Sequence, residues 1–243
     1  MTPPAGFVKF SDEQIVTSGL VLNLDAGYLR SYTGSGTTWY DASGRGNNGT
    51  LMNEPTYSSA DGGSIVFDGS NDHVEVSTSN GFGEANTTPT MTLDLWANVV
   101  RKDGGGVQYQ QLAGFRDETN FDFYFLLLDN SGTSVSTEAR VRTTSGAFNI
   151  GVPYLSYFGK WTHICFVANA TRIDLYFNGI LVGSNTNVSG TFGPTSGNFR
   201  IGLNTDGTWG ASGNISAVKV YNRALTASEI QQNFNATRSR FGI

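Results

Sequence analysis

The chain is written mostly in alternation. In residues 19–26, Leu20, Leu22 and Leu24 fall on one side and Val21, Asn23 and Asp25 on the other, the period of a half-buried strand. Residues 64–77 show it twice, with Ile65 and Phe67 before the polar turn Asp68-Gly69-Ser70-Asn71-Asp72 and Val74 and Val76 after it. In residues 90–100 the pattern is clearest: Met91, Leu93, Leu95, Ala97 and Val99 share one face, Asp94, Trp96 and Asn98 the other. Residues 120–129 are almost continuously apolar, as in a central strand covered on both sides, and residues 137–144 read as a polar partner strand. Residues 161–184 read as two long strands joined at Asn178-Gly179, a dipeptide that accepts the positive φ of a tight hairpin. Residues 198–204 and 215–221 complete the set.

One stretch departs from this period. Thr226 stands as a helix N-cap with Glu229 three residues on, a capping box, and Leu225 and Ile230 flank it as a hydrophobic staple. With Ile230 and Phe234 as its strong apolar positions, the helix is short and must lie against a larger body. Ten or more strands with one terminal helix predict an all-β chain, a two-sheet antiparallel sandwich whose last strand, residues 215–221, pairs near residues 20–24. Residues 1–18 read as an N-terminal arm, whether a loose tail, a tether or a strand added to a neighbour, and residues 19–243 as one domain.

The composition agrees with many polar turns. There are 31 glycines, and 14% of residues are charged, against roughly 25% in an average soluble domain. A net charge of -5 without a Lys/Arg cluster argues against a nucleic-acid partner. Arg238 and Arg240 read as a solvated tail. A single cysteine, Cys165, allows no intrachain disulfide and no multi-cysteine zinc site, and reads as a small core residue. The N-terminal stretch has no basic-then-apolar leader, and no run nears the roughly 18 apolar residues of a membrane helix, so neither a signal peptide nor membrane insertion is expected. Three glycines in residues 41–49 suggest a phosphate loop, but their spacing is wrong and no lysine follows. His163 shares its strand face with Trp161 and Cys165 and reads as packed.

Taken in order and spacing, GLVLNLDAGY, WYDASGRGNNGTL, SIVFDGSNDHVEV, TMTLDLWANV, WTHICFVANATRIDLYFNGILVGS, and FRIGLN followed by ISAVKVYNRALTASEI resemble the laminin G-like jelly rolls of the concanavalin A-like superfamily, across residues 19–235. The resemblance implies two curved antiparallel sheets, one concave, in relatives that bind glycans, lipids or proteins and sometimes cleave polysaccharides. Hydrolases of that superfamily carry Glu-x-Asp-x-(x)-Glu on one strand, and glycoside hydrolysis needs two carboxyls about 5–9.5 Å apart. The nearest acidic cluster here, Asp117, Glu118 and Asp122, lacks that spacing, so no catalytic residues and no enzyme are expected.

The methionine start and the tail QQNFNATRSRFGI are similar to copies found in virion proteins of tailed bacteriophages. That implies a non-enzymatic virion surface protein, a capsid decoration or fibre/tail-type protein, made in the host cytoplasm. It would self-associate, contact other virion proteins and bind cell-surface glycans. A free carbohydrate-binding module or adhesin is the first alternative, and a polysaccharide-degrading glycoside hydrolase or lyase the second. A glycan on the concave sheet would stack on Trp96, Tyr124 and Trp209. Calcium, which this fold often carries and Asp/Asn oxygens suit, would find ligands in Asp25, Asp68, Asn71 and Asp72. Against it, Ser216 and Ala217 stand where relatives often have acidic residues; no other cofactor is expected.

Overall fold

The structure, a computed structural model, describes residues 14–77, 90–102, 107–117, 121–130, 134–192 and 198–243. In chain order the strands are Leu20–Asp25 (β1), Thr38–Trp39 (β2), Gly49–Met52 (β3), Thr56–Ser58 (β4), Ser64–Asp68 (β5), His73–Val76 (β6), Met91–Val99 (β7), Val107–Asp117 (β8), Phe121–Asn130 (β9), Ser134–Thr143 (β10), Gly146–Ile150 (β11), Thr162–Asn169 (β12), Arg172–Phe177 (β13), Ile180–Asn185 (β14), Phe199–Ile201 (β15) and Ser212–Tyr221 (β16). Helix α1, Ala227–Arg238, follows.

They build two antiparallel sheets. The first runs β14-β13-β12-β7-β16-β5-β4 with β1 also on β16; the second runs β11-β10-β9-β8-β15-β6-β3-β2. Their alternating apolar residues meet in one core. Leu22, Leu24, Leu93, Leu95, Ile164, Phe166, Val218 and Val220 face Val74, Phe115, Phe123, Phe125, Val141 and Ile201, and Phe123 stacks on Phe166 with ring centres 4.9 Å apart. Asn178 and Gly179 take φ of 50° and 76°, as the β13-β14 hairpin requires.

β16 closes the sandwich. One edge lies along β7; on the other, Ser212–Ile215 pairs with β5 and the later residues with β1, Leu20 opposite Tyr221 and Leu24 opposite Val218. The change of partner falls at a bulge at Ser216, between the paired Ile215 and Ala217, and a bulge re-aims its side chain.

The outer face of the first sheet is covered by α1. Thr226 and Glu229 form the capping box, Glu229 N–H donating to Thr226 Oγ1 at 3.3 Å and Thr226 N–H to Glu229 Oε2 at 2.9 Å. Ile230 and Leu225 press on Cys165, Val167, Tyr176 and Tyr221, while Phe234 and the following Phe241 press on Trp96. Beneath the helix Asp94 is fully buried and fully bonded: Lys219 Nζ lies 3.3 Å away, His163 Nε2 3.0 Å and Asn233 Nδ2 3.0 Å. Asn233 also ties in the described end of the N-terminal segment, its Oδ1 accepting from Val16 N–H at 2.9 Å. The alternation of β7 is therefore real, but both its faces are buried.

Arg240 corrects the expectation of a solvated tail. It is 8% exposed, and its guanidinium donates to Asp25 Oδ1 at 2.6 Å, Gly63 O at 2.7 Å, Asp61 O at 3.2 Å and Ser216 Oγ. The glycine-rich loop at 41–49 is likewise an internal device. Asp41 accepts from the N–H groups of Asn23, Ser43 and Asn47 and from Ser43 Oγ, so its own carboxylate takes the donors an anion would need.

Candidate functional site

The outer face of the second sheet is, among the described residues, left without a covering helix, and its alternation collects polar side chains from every strand. One row crosses the whole sheet in register: Thr38, Thr50, Glu75, Arg200, Gly114, Tyr124, Arg140 and Asn149. Gly114 has φ +147° and a Cβ there would fall 2.3 Å from Tyr124 Cβ, so only glycine lets the two strands meet.

Asp122 sits beside this row, 1% exposed, at the floor. Arg142 Nε donates to its Oδ2 at 3.0 Å and Arg140 Nε lies 3.2 Å away. Its other oxygen, Oδ1, is buried and has no hydrogen-bond donor among the described residues. Burial pushes the Asp122 carboxyl above its ordinary range, outweighing the pull of Arg142, Arg140 and Arg116. Tyr124, also 1% exposed, donates from its hydroxyl to Glu138 Oε1 at 2.7 Å, and Glu138 lies 3.4 Å from Arg140 Nη1. Burial and then the Glu138 bond raise the Tyr124 phenol far above its ordinary value; it is a fixed donor, not a nucleophile.

At the rim stands Trp209, half-buried and held at φ +61°, a conformation that costs a non-glycine residue strain. The loop sustains it: Gln111 N–H donates to Trp209 O at 2.8 Å, Asn204 Nδ2 donates to Asp206 Oδ1 at 2.8 Å, and Arg200 donates to the carbonyls of Asn204 and Thr205 at 3.0 Å each. The indole packs on Tyr109, ring centres 4.9 Å apart, and on the Arg116 guanidinium, 3.9 Å from its ring centre.

Of the three aromatic residues expected to stack on a ligand, Trp209 and Tyr124 thus share this face, with Tyr124 below its surface. Trp96 is corrected. It leaves the core face as its alternation requires, but on the first sheet, where Phe241 and Phe234 stack on it at 4.1 and 5.9 Å and its Nε1–H donates to Thr237 Oγ1. No ligand reaches it. Sequence reasoning missed Tyr109, Arg116, Glu138, Arg140 and Arg142 as a group, although Glu138, Arg140 and Arg142 alternate along one strand and so had to share a face.

The four calcium candidates are not brought together as one set: Asp25 lies opposite Ala217 of β16, and Asp68, at the start of the turn that holds Asn71 and Asp72, lies opposite Ser212. Asp25 is paired with Arg240. Asp68 Oδ1 accepts from Ser70 N–H and Asp72 Oδ2 from Asp68 N–H within the turn, and the Asn71 carbonyl accepts from Asn53 Nδ2 beyond the end of β3. Among the described residues no three His, Cys, Asp or Glu side chains gather as a metal site. Of the acidic cluster Asp117, Glu118 and Asp122, the Asp117 side chain and the whole of Glu118 lie outside the described residues.

A sandwich closed by its last strand, with one outer face sealed and one open and polar, agrees with the family comparison: residues 68–231 match Laminin_G_3, of the concanavalin A-like lectin/glucanases superfamily. The chain belongs to this family. No curated protein matches this laminin G-like chain. Solved structures do. The receptor binding domain of botulinum neurotoxin C/D mosaic serotype is similar with TM-score 0.67 at 12% identity, over 90% of this chain and 51% of that one. The binding domain of Paraclostridial Mosquitocidal Protein 1 gives 0.66 at 18%, over 90% and 52%. A Trypanosoma rangeli sialidase, in complex with the inhibitor DANA, gives 0.61 at 20%, over 90% and 33%. The laminin G-like chain spans about half the length of these toxin domains and a third of the sialidase, and identities this low establish the shared lectin-like fold alone.

Proposed function

We propose that this chain is a non-catalytic glycan-binding domain on the surface of a virion, and that it holds its ligand on the open face of the second sheet. The observation that carries the binding reading is the half-exposed Trp209, held at positive φ on Tyr109 and Arg116 beside a polar floor. An indole supplies the apolar contact that a sugar ring face needs. The part-exposed guanidiniums of Arg140 and Arg142, held in place by Asp122 beneath them, supply donors to a sugar hydroxyl. A similar structure, the binding domain of Botulinum Neurotoxin DC, was solved in complex with SialylT, which supports a glycan as the ligand class.

Arg142 and Arg140 flank Asp122, while Tyr124 and Arg140 hold Glu138. Asp122 is buried away from a ligand and Glu138 is held by Tyr124 and Arg140, which supports binding without hydrolysis. The virion setting and self-association rest on the sequence resemblance. A glycan array on the intact protein should give hits that Trp209→Ala abolishes with an unchanged melting temperature; hits that survive this variant would overturn the site. Release of reducing ends from a polysaccharide panel, lost in Asp122→Asn, would overturn the non-catalytic reading. Mass spectrometry of purified particles should detect the chain, and its absence there would remove the virion setting.

A further inference from the structure

Beneath α1 an amine, a carboxylate and an amide meet out of reach of solvent. Lys219 of β16 stands directly opposite Asp94 of β7, and Asn233 comes down on the pair from the helix. Their exposures are 1%, 0% and 0%. One carboxylate holds both neighbours: Asp94 Oδ1 lies 3.3 Å from Lys219 Nζ, and Asp94 Oδ2 accepts from Asn233 Nδ2 at 3.0 Å. The Tyr221 hydroxyl on Asn233 Nδ2 and the His163 ring, which lies against Trp96 and Phe234, complete the surround.

A buried ion pair by itself says little, because desolvation offsets most of its attraction. This one differs in the amide bonded to the same carboxylate and in how that amide is held. Asn233 Oδ1 accepts from the buried Val16 N–H at 2.9 Å, a fixed donor on the oxygen that gains negative charge when a carbonyl carbon is attacked. Asn233 Nδ2, the group that leaves in such an attack, faces a carboxylate able to carry a proton to it. Nucleophile, proton carrier, oxyanion donor and leaving group thus share one dry site.

We propose that this site modifies itself, Lys219 Nζ and Asn233 Cγ joining in an amide bond that ties β16 to α1. Asp94 Oδ1 first takes a proton from the Lys219 ammonium, which exchanges two buried charges for two neutral groups. The amine then attacks Asn233 Cγ and a C–N bond forms, with the Val16 N–H on the developing oxyanion. Asp94 relays a proton from the attacking nitrogen to Nδ2, and the bond from Cγ to Nδ2 breaks. The ammonia released takes up the proton first given by Lys219 and departs as ammonium, leaving the carboxylate as it began. No oxidant, reductant or cofactor is consumed. The reaction runs once per chain and needs no fast turnover, and groups held in contact react as though at effective concentrations of about 10⁵ M or more. A chain with a single cysteine has no intrachain disulfide; this bond fastens its helix covalently instead. The open face and glycan binding have no part in it.

Intact-mass spectrometry of the denatured full chain should give a mass below that of the sequence by one ammonia. Trypsin should fail to cut after Lys219 and should release one joined peptide carrying Lys219 and Asn233. Lys219→Arg keeps a cation beside Asp94 but cannot form the amide, so it should show the full mass of its sequence, and Asn233→Ala should do the same. The unaltered chain at full sequence mass would overturn the proposal, whether or not either variant folds. Loss of one water, which places the bond on Asp94, would overturn it too. So would an ammonia deficit that persists in Lys219→Arg, the mark of a succinimide at an Asn-Gly pair such as Asn178-Gly179.

Discussion

The Arg240 guanidinium meets oxygens from three segments: Asp25 at the end of β1, Asp61 and Gly63 before β5, and Ser216 at the bulge of β16. Oxygens converging in this way are what a hard cation seeks, and here a side chain provides the positive charge. Removing it leaves Asp25 without its partner and strands buried carbonyls. Arg240→Ala is expected to lower stability by about 3 kcal/mol in urea denaturation. Addition of EDTA to the unaltered protein is expected to leave its melting temperature where it was, and a drop on chelation would show that a metal contributes after all. The identity of Asp25 suits calcium, and the position of Arg240 gives its carboxylate a guanidinium partner.

Among the elements, α1 has most to do for its size. Its capping box was legible because it depends on residues three apart, and its single apolar stripe implied a surface beneath. That surface includes Cys165, whose thiol burial and the nearby Asp94 push well above its ordinary value, so it is both protonated and covered. Thr226→Ala should cost about 1 kcal/mol. If Cys165 reacts only when α1 lifts, the same variant should speed its labelling by a thiol reagent about fivefold, with glycan binding unaltered. Labelling at the rate of the unaltered protein, despite a lower melting temperature, would mean that Cys165 is reached by another opening.

For the whole molecule, the Asp94 cluster joins three neighbouring central strands of the first sheet, β12, β7 and β16, to the helix and the N-terminal segment through His163, Lys219 and Asn233. Burial alone would raise the Asp94 carboxyl; Lys219, His163 and the bonds from His163 and Asn233 reverse this and hold it well below the carboxylate range. Glu229 is lowered too, to about 2, chiefly by its bond from Arg223. Both are acids with folded values below the unfolded ones. Their contribution is complete above the ordinary carboxylate range near pH 4 and is lost as pH falls below it. Urea denaturation is therefore expected to show stability falling from about pH 4 downwards, and Asp94→Asn should be less stable at neutral pH with a shallower acid loss. An acid slope unchanged in that variant would place the titration elsewhere.

Much of this architecture was legible from the chain alone. The strands, the Asn178-Gly179 hairpin, the capped helix and the pairing of the last strand with the first rest on short periods: two for a strand, three to four for a helix, and a turn needing positive φ. Alternation also told correctly that Trp96 and Tyr124 leave the core face. It could not tell what stands opposite them. Trp96 is sealed by Thr237, 141 positions away, Asp25 is paired 215 positions away, and Arg116, Asp122 and Arg142 become a site only where three strands lie side by side. A side chain's neighbours across sheets and under helices are set by how the elements pack, and no local pattern encodes that distance. Strand identity was therefore decided by the sequence, while the open face and the sealed one were decided by the tertiary structure.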